Sequence, residues 1–267
     1  MGKQITFCGG GNMAEGILAQ LLAKEITEKN SITVIEIKED RCAYLSETYG
    51  VNAVTSPGNA YAKADMIILA LLPHLIPKIV PSFADEISKD AVVISIAAGI
   101  PIATLEECLG REHRIARVMP NTLARSGSGY SAVCYNNSCG AADKDFVKQV
   151  LASLGQTMVI TEDTFDSFSC FASAGPMWMY KLIEAMTDAG VYVGYSREDA
   201  RNITIRNMIG AACMVEITGD HPAVLVDRMT SPGGVTIESL KTLQEEGFAA
   251  AIIKSVSDGV RKAKSFR

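Results

Sequence analysis

The chain of 267 residues predicts an α/β fold: an N-terminal, doubly wound and largely parallel sheet over residues 1–161, followed by an all-helical domain over 162–267. Three observations predict it. A glycine-rich turn follows the first apolar strand directly, further strand-like runs recur at intervals that leave room for crossover helices, and the strand signal stops near residue 160.

Residues 4–8 read as a short buried strand that runs into Gly9-Gly10-Gly11-Asn12-Met13-Ala14. Gly9, Gly11 and Ala14 fit G-x-G-x-x-G/A, the tight turn and close-packed helix start that lay a pyrophosphate on backbone amides. A glycine-rich structural turn is the plain alternative, but the context favours a Rossmann-type dinucleotide site using Gly9, Gly10, Gly11, Asn12 and Met13. Ile17, Leu18, Leu21 and Leu22 give the next helix its apolar face, and residues 31–37 form a second strand carrying Glu36. At about 20 residues beyond the loop, such a carboxylate accepts hydrogen bonds from the adenosine ribose hydroxyls. It also repels a 2′-phosphate, and no arginine follows it closely, so NADH is expected over NADPH. Lys38 reads as an exposed salt-bridge residue; a swing back to the phosphate is the alternative that leaves NADPH open.

Further strands are expected at 65–72, 91–97, 114–118 and 128–136, spaced as parallel βαβ units. The first three end in the loops Leu72-Pro73-His74, Ala97-Ala98-Gly99 and Met119-Pro120-Asn121-Thr122. Carboxyl ends of parallel strands line the ligand crevice of such sheets. Ala70, Leu71, Pro73, Ala97, Ala98 and Gly99 are therefore assigned to the cofactor, with Asn121 offering an amide to the carboxamide or to substrate. A helix over 141–154 and a last strand near 157–160 complete the sheet.

From Glu162 onward the pattern is helical. Ser173-Ala174-Gly175-Pro176 marks a break before a helix over 177–192, and Ser196-Arg197-Glu198-Asp199 resembles a capped start. The helix over 197–218 carries Ile203, Ile205, Met208, Ile209, Val215 and Ile217, apolar over more than one face. Such a helix is normally enclosed on several sides. Roughly one hundred residues of helix do not easily enclose it alone, which implies an intimate, interlocked homodimer. Met177, Trp178 and Met179 read as core or pocket wall.

The segment Thr230-Ser231-Pro232-Gly233-Gly234-Val235-Thr236 predicts an anion-binding helix start, with Ser231 as N-cap and Pro232 at the first helical position. Gly233 and Gly234 let a small carboxylate approach N–H groups that have no intrahelical partner. Thr236 places a hydroxyl near the same ligand. A capped helix with no ligand is the plain alternative.

A net charge of −5 without a basic stripe gives nucleic acid little to hold. The apolar run at 66–72 is far short of the ~20 residues of a membrane span. No secretory leader pattern opens the chain, and a cytoplasmic location is expected. The seven cysteines form no C-x-x-C pair and the three histidines are scattered, so no metal site is expected.

This ordered set resembles pyrroline-5-carboxylate reductase, the enzyme of the last step in proline synthesis. Phe7 to Ala14 is similar to the family's F-I-G-x-G-N-M-A, Ser95 to Ile100 to its S-I-A-A-G-I, Arg117 to Thr122 to its R-x-M-P-N-T, and Thr230 to Ile237 to its T-S-P-G-G-T-T-I. The resemblance implies a helical dimerisation domain exchanged between subunits, and often larger rings of dimers. Carried over by position, Ser231, Gly233, Gly234 and Val235 hold the substrate carboxylate while Thr236 contacts the imine nitrogen. A threonine hydroxyl is a weak acid, so Thr236 is assigned orientation and polarisation. Leu72, Leu123, Ala174 and Met177 depart from the family pattern. They keep a second reading open, a reductase of another small cyclic imino acid. A dinucleotide-binding protein without turnover is the third.

Overall fold

The computed structural model describes residues 2–121, 123 and 127–264; Thr122 of the Asn121-Thr122 loop and residues 265–267 lie outside them. Eight strands form one sheet: β1 (Ile5–Cys8), β2 (Ile32–Ile35), β3 (Asn52–Val54), β4 (Met66–Leu69), β5 (Val92–Ser95), β6 (Arg114–Met119), β7 (Gly129–Tyr135) and β8 (Gly155–Val159). Their order is β3-β2-β1-β4-β5-β6-β7-β8. The chain leaves β1 toward one edge and then returns to build the other, so the strand order reverses between β1 and β4. A ligand crevice is expected at that switch point.

The central strands are apolar because they are covered on both faces. Met66-Ile67-Ile68-Leu69 and Val92-Val93-Ile94-Ser95 are buried at every position. On one face Phe7, Val34 and Ile68 pack with Leu18 and Leu21 of α1 (Asn12–Ala23) and Leu45 of α2 (Glu39–Tyr49). On the other, Leu69 and Val93 pack with Tyr61 of α3 (Ala60–Lys63), Ile76 of α4 (Ile76–Ile79) and Leu105 of α5 (Ile102–Leu109). The helix α6 (Ala141–Ala152) follows β7.

Two expectations for the sheet need correction. β7 runs antiparallel to β6, with Arg117 opposite Cys134. Only residues 120–128 connect them, too few for the dozen or more that a parallel crossover takes. The three-residue edge strand β3, pairing parallel to β2, escapes the sequence reading because it is too short to show a period.

The chain divides into two compact units, one running to Ala174 and also taking in the end of the chain from Lys262, the other spanning Gly175–Arg261. Residues 162–174 fall within the unit that holds the sheet. They form a 3-10 turn (Glu162–Thr164), α7 (Phe165–Phe168) and a π turn (Ser169–Ser173). Phe165 is fully buried, with the guanidinium of Arg117 lying 3.8 Å from its ring centroid. Arg117 is itself buried and ion-paired to Glu162, which also accepts the Cys134 thiol at 3.0 Å.

The second unit consists of α8 (Gly175–Tyr192), α9 (Arg197–Thr218), α10 (Pro222–Met229), α11 (Val235–Glu245) and all but the last turn of α12 (Phe248–Lys264). Ser196 caps α9 by accepting the Asp199 N–H at 3.0 Å, as its sequence implies. α8 and α9 approach closely at Gly190, where a Cβ would lie 2.6 Å from that of Ala200. Ile203, Ile209, Met214 and Ile217 of α9 are exposed. Among the described residues no single helix is long and apolar enough to cross a membrane; α9 and α10 pass together by composition but are bent by 117°.

All seven cysteines are free; six are buried, and Cys213 on α9 is exposed. Burial pushes the buried thiols above their ordinary range, Cys139 to about 11.

Candidate functional site

The loop after β1 is shaped by its glycines. Gly9 has φ +103°, and a Cβ there would sit 2.6 Å from the Ala70 carbonyl oxygen, so the loops after β1 and β4 touch backbone to backbone. Gly11 caps α1 with extended geometry, and a Cβ added to it would meet nothing within 4 Å. Its bareness is therefore not required by internal packing. It leaves backbone open to a neighbouring cleft of about 780 Å³.

Gly9, Gly11, Asn12, Met13 and Glu36 line that cleft, joined by Ala70, Leu71 and Ala98. Leu72, Ile96, Met119 and Pro120 continue its wall. The strand ends after β1, β2, β4, β5 and β6 thus converge on one crevice, as the loop compositions imply. Gly10 faces instead a smaller cavity of about 400 Å³. Its N–H donates to Glu36 Oε2 at 3.0 Å, while the Lys38 N–H donates to Glu36 Oε1 at 3.2 Å. Those two bonds fix the carboxylate at the cleft edge.

Besides Gly10, four expected cofactor residues stand outside the cleft lining. Pro73 opens a 3-10 turn (Pro73–Leu75), Ala97 is buried, and Gly99 takes a left-handed φ of +75°. Asn121 is 5% exposed; its amide donates to the Ala172 carbonyl at 3.3 Å and its oxygen accepts the Leu123 N–H at 3.2 Å. Asn121 therefore braces the loop after β6 against the π turn, a brace doubled by Ser173 donating to the Pro120 carbonyl at 3.1 Å. This differs from the free amide the sequence suggests.

Two charged groups, Arg41 and Glu15, escape the sequence reading, and a third, Arg117, is named there only within a motif. Arg41, five positions after Glu36, lies beside Gly10, correcting the expectation that no arginine is close. Glu15 is buried on α1, and Arg117 is buried beneath the loop that carries Asn121. An acidic residue among Ala14, Ile17 and Leu18 was the available signal for Glu15; the helical spacing places it on the covered side.

In the helical unit, Gly234 donates to the Ser231 carbonyl at 3.0 Å across a turn in which Gly233 has φ +68°. The N-cap is Gly234 and the first helical residue is Val235, so Ser231 and Pro232 are not the N-cap and first helical position. Pro232 and Gly233 instead occupy the central positions of a β-turn, where proline presets φ and glycine accepts a positive one. A Cβ at Gly234 would crowd Ser231 Oγ, so a larger residue here would turn that hydroxyl aside. The N–H groups of Val235 and Thr236 open α11 without intrahelical acceptors, and the helix dipole favours an anion before them. Val235 is 86% exposed, Thr236 half-buried. Among the described residues no cluster of His, Cys, Asp and Glu is arranged to hold a metal ion.

The sequence is 34% identical over 264 residues to the pyrroline-5-carboxylate reductase of Escherichia coli, covering 99% of this chain and 98% of that enzyme. The chain belongs to the pyrroline-5-carboxylate reductase family. The family described as pyrroline-5-carboxylate reductase dimerisation matches residues 162–266, and that described as NADP oxidoreductase coenzyme F420-dependent matches residues 4–99. The solved pyrroline-5-carboxylate reductase of Coxiella burnetii superposes with a TM-score of 0.92 at 29% identity, covering 100% of this chain and 99% of that one. The Plasmodium falciparum enzyme, solved with NADP bound, gives 0.89 at 26% identity, with 99% and 98% covered. The family resemblance read from the four motifs thus extends over the full length, and the α/β fold with its helical domain is that of the family.

Proposed function

We propose that this pyrroline-5-carboxylate reductase family member reduces 1-pyrroline-5-carboxylate to L-proline, the last step of proline biosynthesis, with a nicotinamide dinucleotide as reductant. The observation that carries the reading is the bare backbone at Gly9 and Gly11 opening onto a crevice at the strand switch point, on a chain matched end to end by reductases. The cleft suits a dinucleotide: Gly11 leaves room for a pyrophosphate, the start of α1 favours its charge, and Glu36 offers acceptors to ribose hydroxyls. Small residues at Ala70 and Ala98 admit a flat ring.

When bound, the reduced nicotinamide supplies the hydride. The chain's own residues do the rest. Val235, with Gly233, Gly234 and Ser231, grips the substrate carboxylate at the turn before α11, and Thr236 hydrogen-bonds the imine nitrogen. That contact orients the C=N carbon and polarises it, while the proton arrives with the iminium or from water. Two planar reactants held in register need little further chemistry.

We also assign NADH as the preferred reductant, because Glu36 holds its carboxylate where a 2′-phosphate would lie; NADPH remains the alternative. The functional assembly is a homodimer with intertwined helical regions over 162–267, able to build larger rings. Seven free thiols accord with a reducing cytoplasm.

The decisive experiment is an NADH-oxidation assay with 1-pyrroline-5-carboxylate, repeated with NADPH and with six-membered and 2-carboxylate imines. Turnover fastest with the five-membered 5-carboxylate supports the reading. Equal or faster turnover of another ring removes it, favouring the second reading that Ala174, Met177 and Leu123 motivate. Tight NADH binding without oxidation by any imine would remove both and favour a dinucleotide-binding protein without turnover.

A further inference from the structure

Beside the glycine loop lies a charge arrangement that the proposed reaction does not use. Glu15 projects from α1 among Ala14, Ile17 and Leu18 and is 7% exposed. Three donors converge on it: Arg41 Nη2 at 2.6 Å, Tyr49 Oη at 2.8 Å and Tyr44 Oη at 3.1 Å. Burial pushes its pKa up, but the bonds from Arg41, Tyr49 and Tyr44 outweigh that and hold the carboxyl below its ordinary value. It therefore stays ionised.

Arg41 is committed on several sides. Its Nε donates to the Gly10 carbonyl at 2.7 Å, and its guanidinium lies 5.0 Å from the centroid of the Tyr44 ring. The same guanidinium borders the cavity of about 400 Å³ that Gly10, Glu36, Lys38 and Asp40 also line. A guanidinium fork is the side chain best matched to a phosphate. Here the fork is turned onto a carboxylate and a carbonyl instead.

A phosphate entering that cavity would meet the carboxylates of Glu36 and Asp40, the exposed ammonium of Lys38, and an arginine whose charge Glu15 already balances. We propose that Glu15 is a cofactor-specificity residue acting through Arg41: by neutralising and tethering the guanidinium, it denies a ribose 2′-phosphate its natural partner and favours NADH. This rests on the reading above that Glu36 marks the ribose end of the cleft. Glu15 touches neither cofactor nor substrate and is a positioning residue.

The test is direct titration of NADH and NADPH binding by fluorescence at fixed ionic strength, comparing the ratio of the two affinities. Glu15→Gln should move the ratio toward NADPH by about tenfold, the size expected when one nearby charge is released in a partly screened site. Adding Arg41→Met to that variant should restore the original ratio. A ratio unmoved within about twofold, or a gain that survives loss of Arg41, overturns the proposal. Arg41→Met alone covers a Glu15→Gln protein that fails to fold. It should leave the ratio within about twofold, whereas a tenfold loss of NADPH affinity would show the guanidinium already serving the phosphate, and the proposal falls. Glu36→Ala separates the two layers. If it relaxes NADPH exclusion while Glu15→Gln does not, the ribose assignment stands and the role of Glu15 is wrong; if neither does, both fail.

Discussion

In the unit that holds the sheet, β4 and β5 are buried at every position, whereas α10, α11 and α12 of the other unit contain no buried residue at all. Both regions are rich in apolar side chains. The sheet covers its own on two faces within one chain, while α9 leaves Ile203, Ile209, Met214 and Ile217 in solvent. Exposed apolar area of that extent marks an interaction surface. Residues 162–266 match a dimerisation family, and in the proposed homodimer a second copy is what would cover this face. On the proposed assembly, one region buries its apolar surface within the chain and the other would do so by association.

Substitutions can break that contrast. The largest effect is expected from Ile209→Glu, whose parent side chain is 50% exposed in the single chain. On a free surface it would be nearly silent, but in a buried interface an unpaired carboxylate costs on the order of 3 kcal/mol or more. Light scattering should show the dimer dissociating at micromolar concentration with activity lost. Retention of the dimer would place the interface elsewhere.

Leu18→Ala, in the sheet core, should cost about 2–5 kcal/mol. Its melting temperature should fall by an amount independent of protein concentration, unlike that of the interface variant. Thr236→Ala sharpens the contrast functionally. It should lower kcat/KM by about tenfold or more, the loss of one or two hydrogen-bond equivalents, and leave NADH affinity unchanged. An unaltered rate would remove Thr236 from the chemistry. Ser196→Ala, which deletes the cap on α9, should cost about 1 kcal/mol by denaturant titration.

Acid gives the smallest effect. Because Glu15 is held below its ordinary value, its stabilisation is fully present above the ordinary carboxylate range and lost as pH falls through the depressed one. Glu15→Gln should flatten that part of the stability profile; an unchanged acid limb would show Glu15 titrating alike in folded and unfolded chains.

What the sequence made legible follows from physical range. Gly9, Gly11 and Ala14 act within one turn, and the strands before and after them carry their own period, so the crevice was readable. Glu36 was readable because its distance from the loop is set by one helix and one strand. Arg41 was not, since its position depends on how α2 packs against α1, and Glu15 holds it there across 26 positions of chain. The reversal of β7 was hidden because its strand pattern is the same in either direction; only the shortness of its connection distinguishes them. At the turn before α11, serine, proline and glycine suit a cap and a β-turn alike, and the hydrogen bond from Gly234 to Ser231 decides for the turn.

The single exposed thiol turns the protein into its own reporter. With six sulfhydryls shielded and hard to ionise, a maleimide dye at neutral pH should couple once per chain, at Cys213, without any cysteine being engineered out. The coupling rate would then follow subunit exchange in real time, slow in the assembled state and fast whenever α9 comes free.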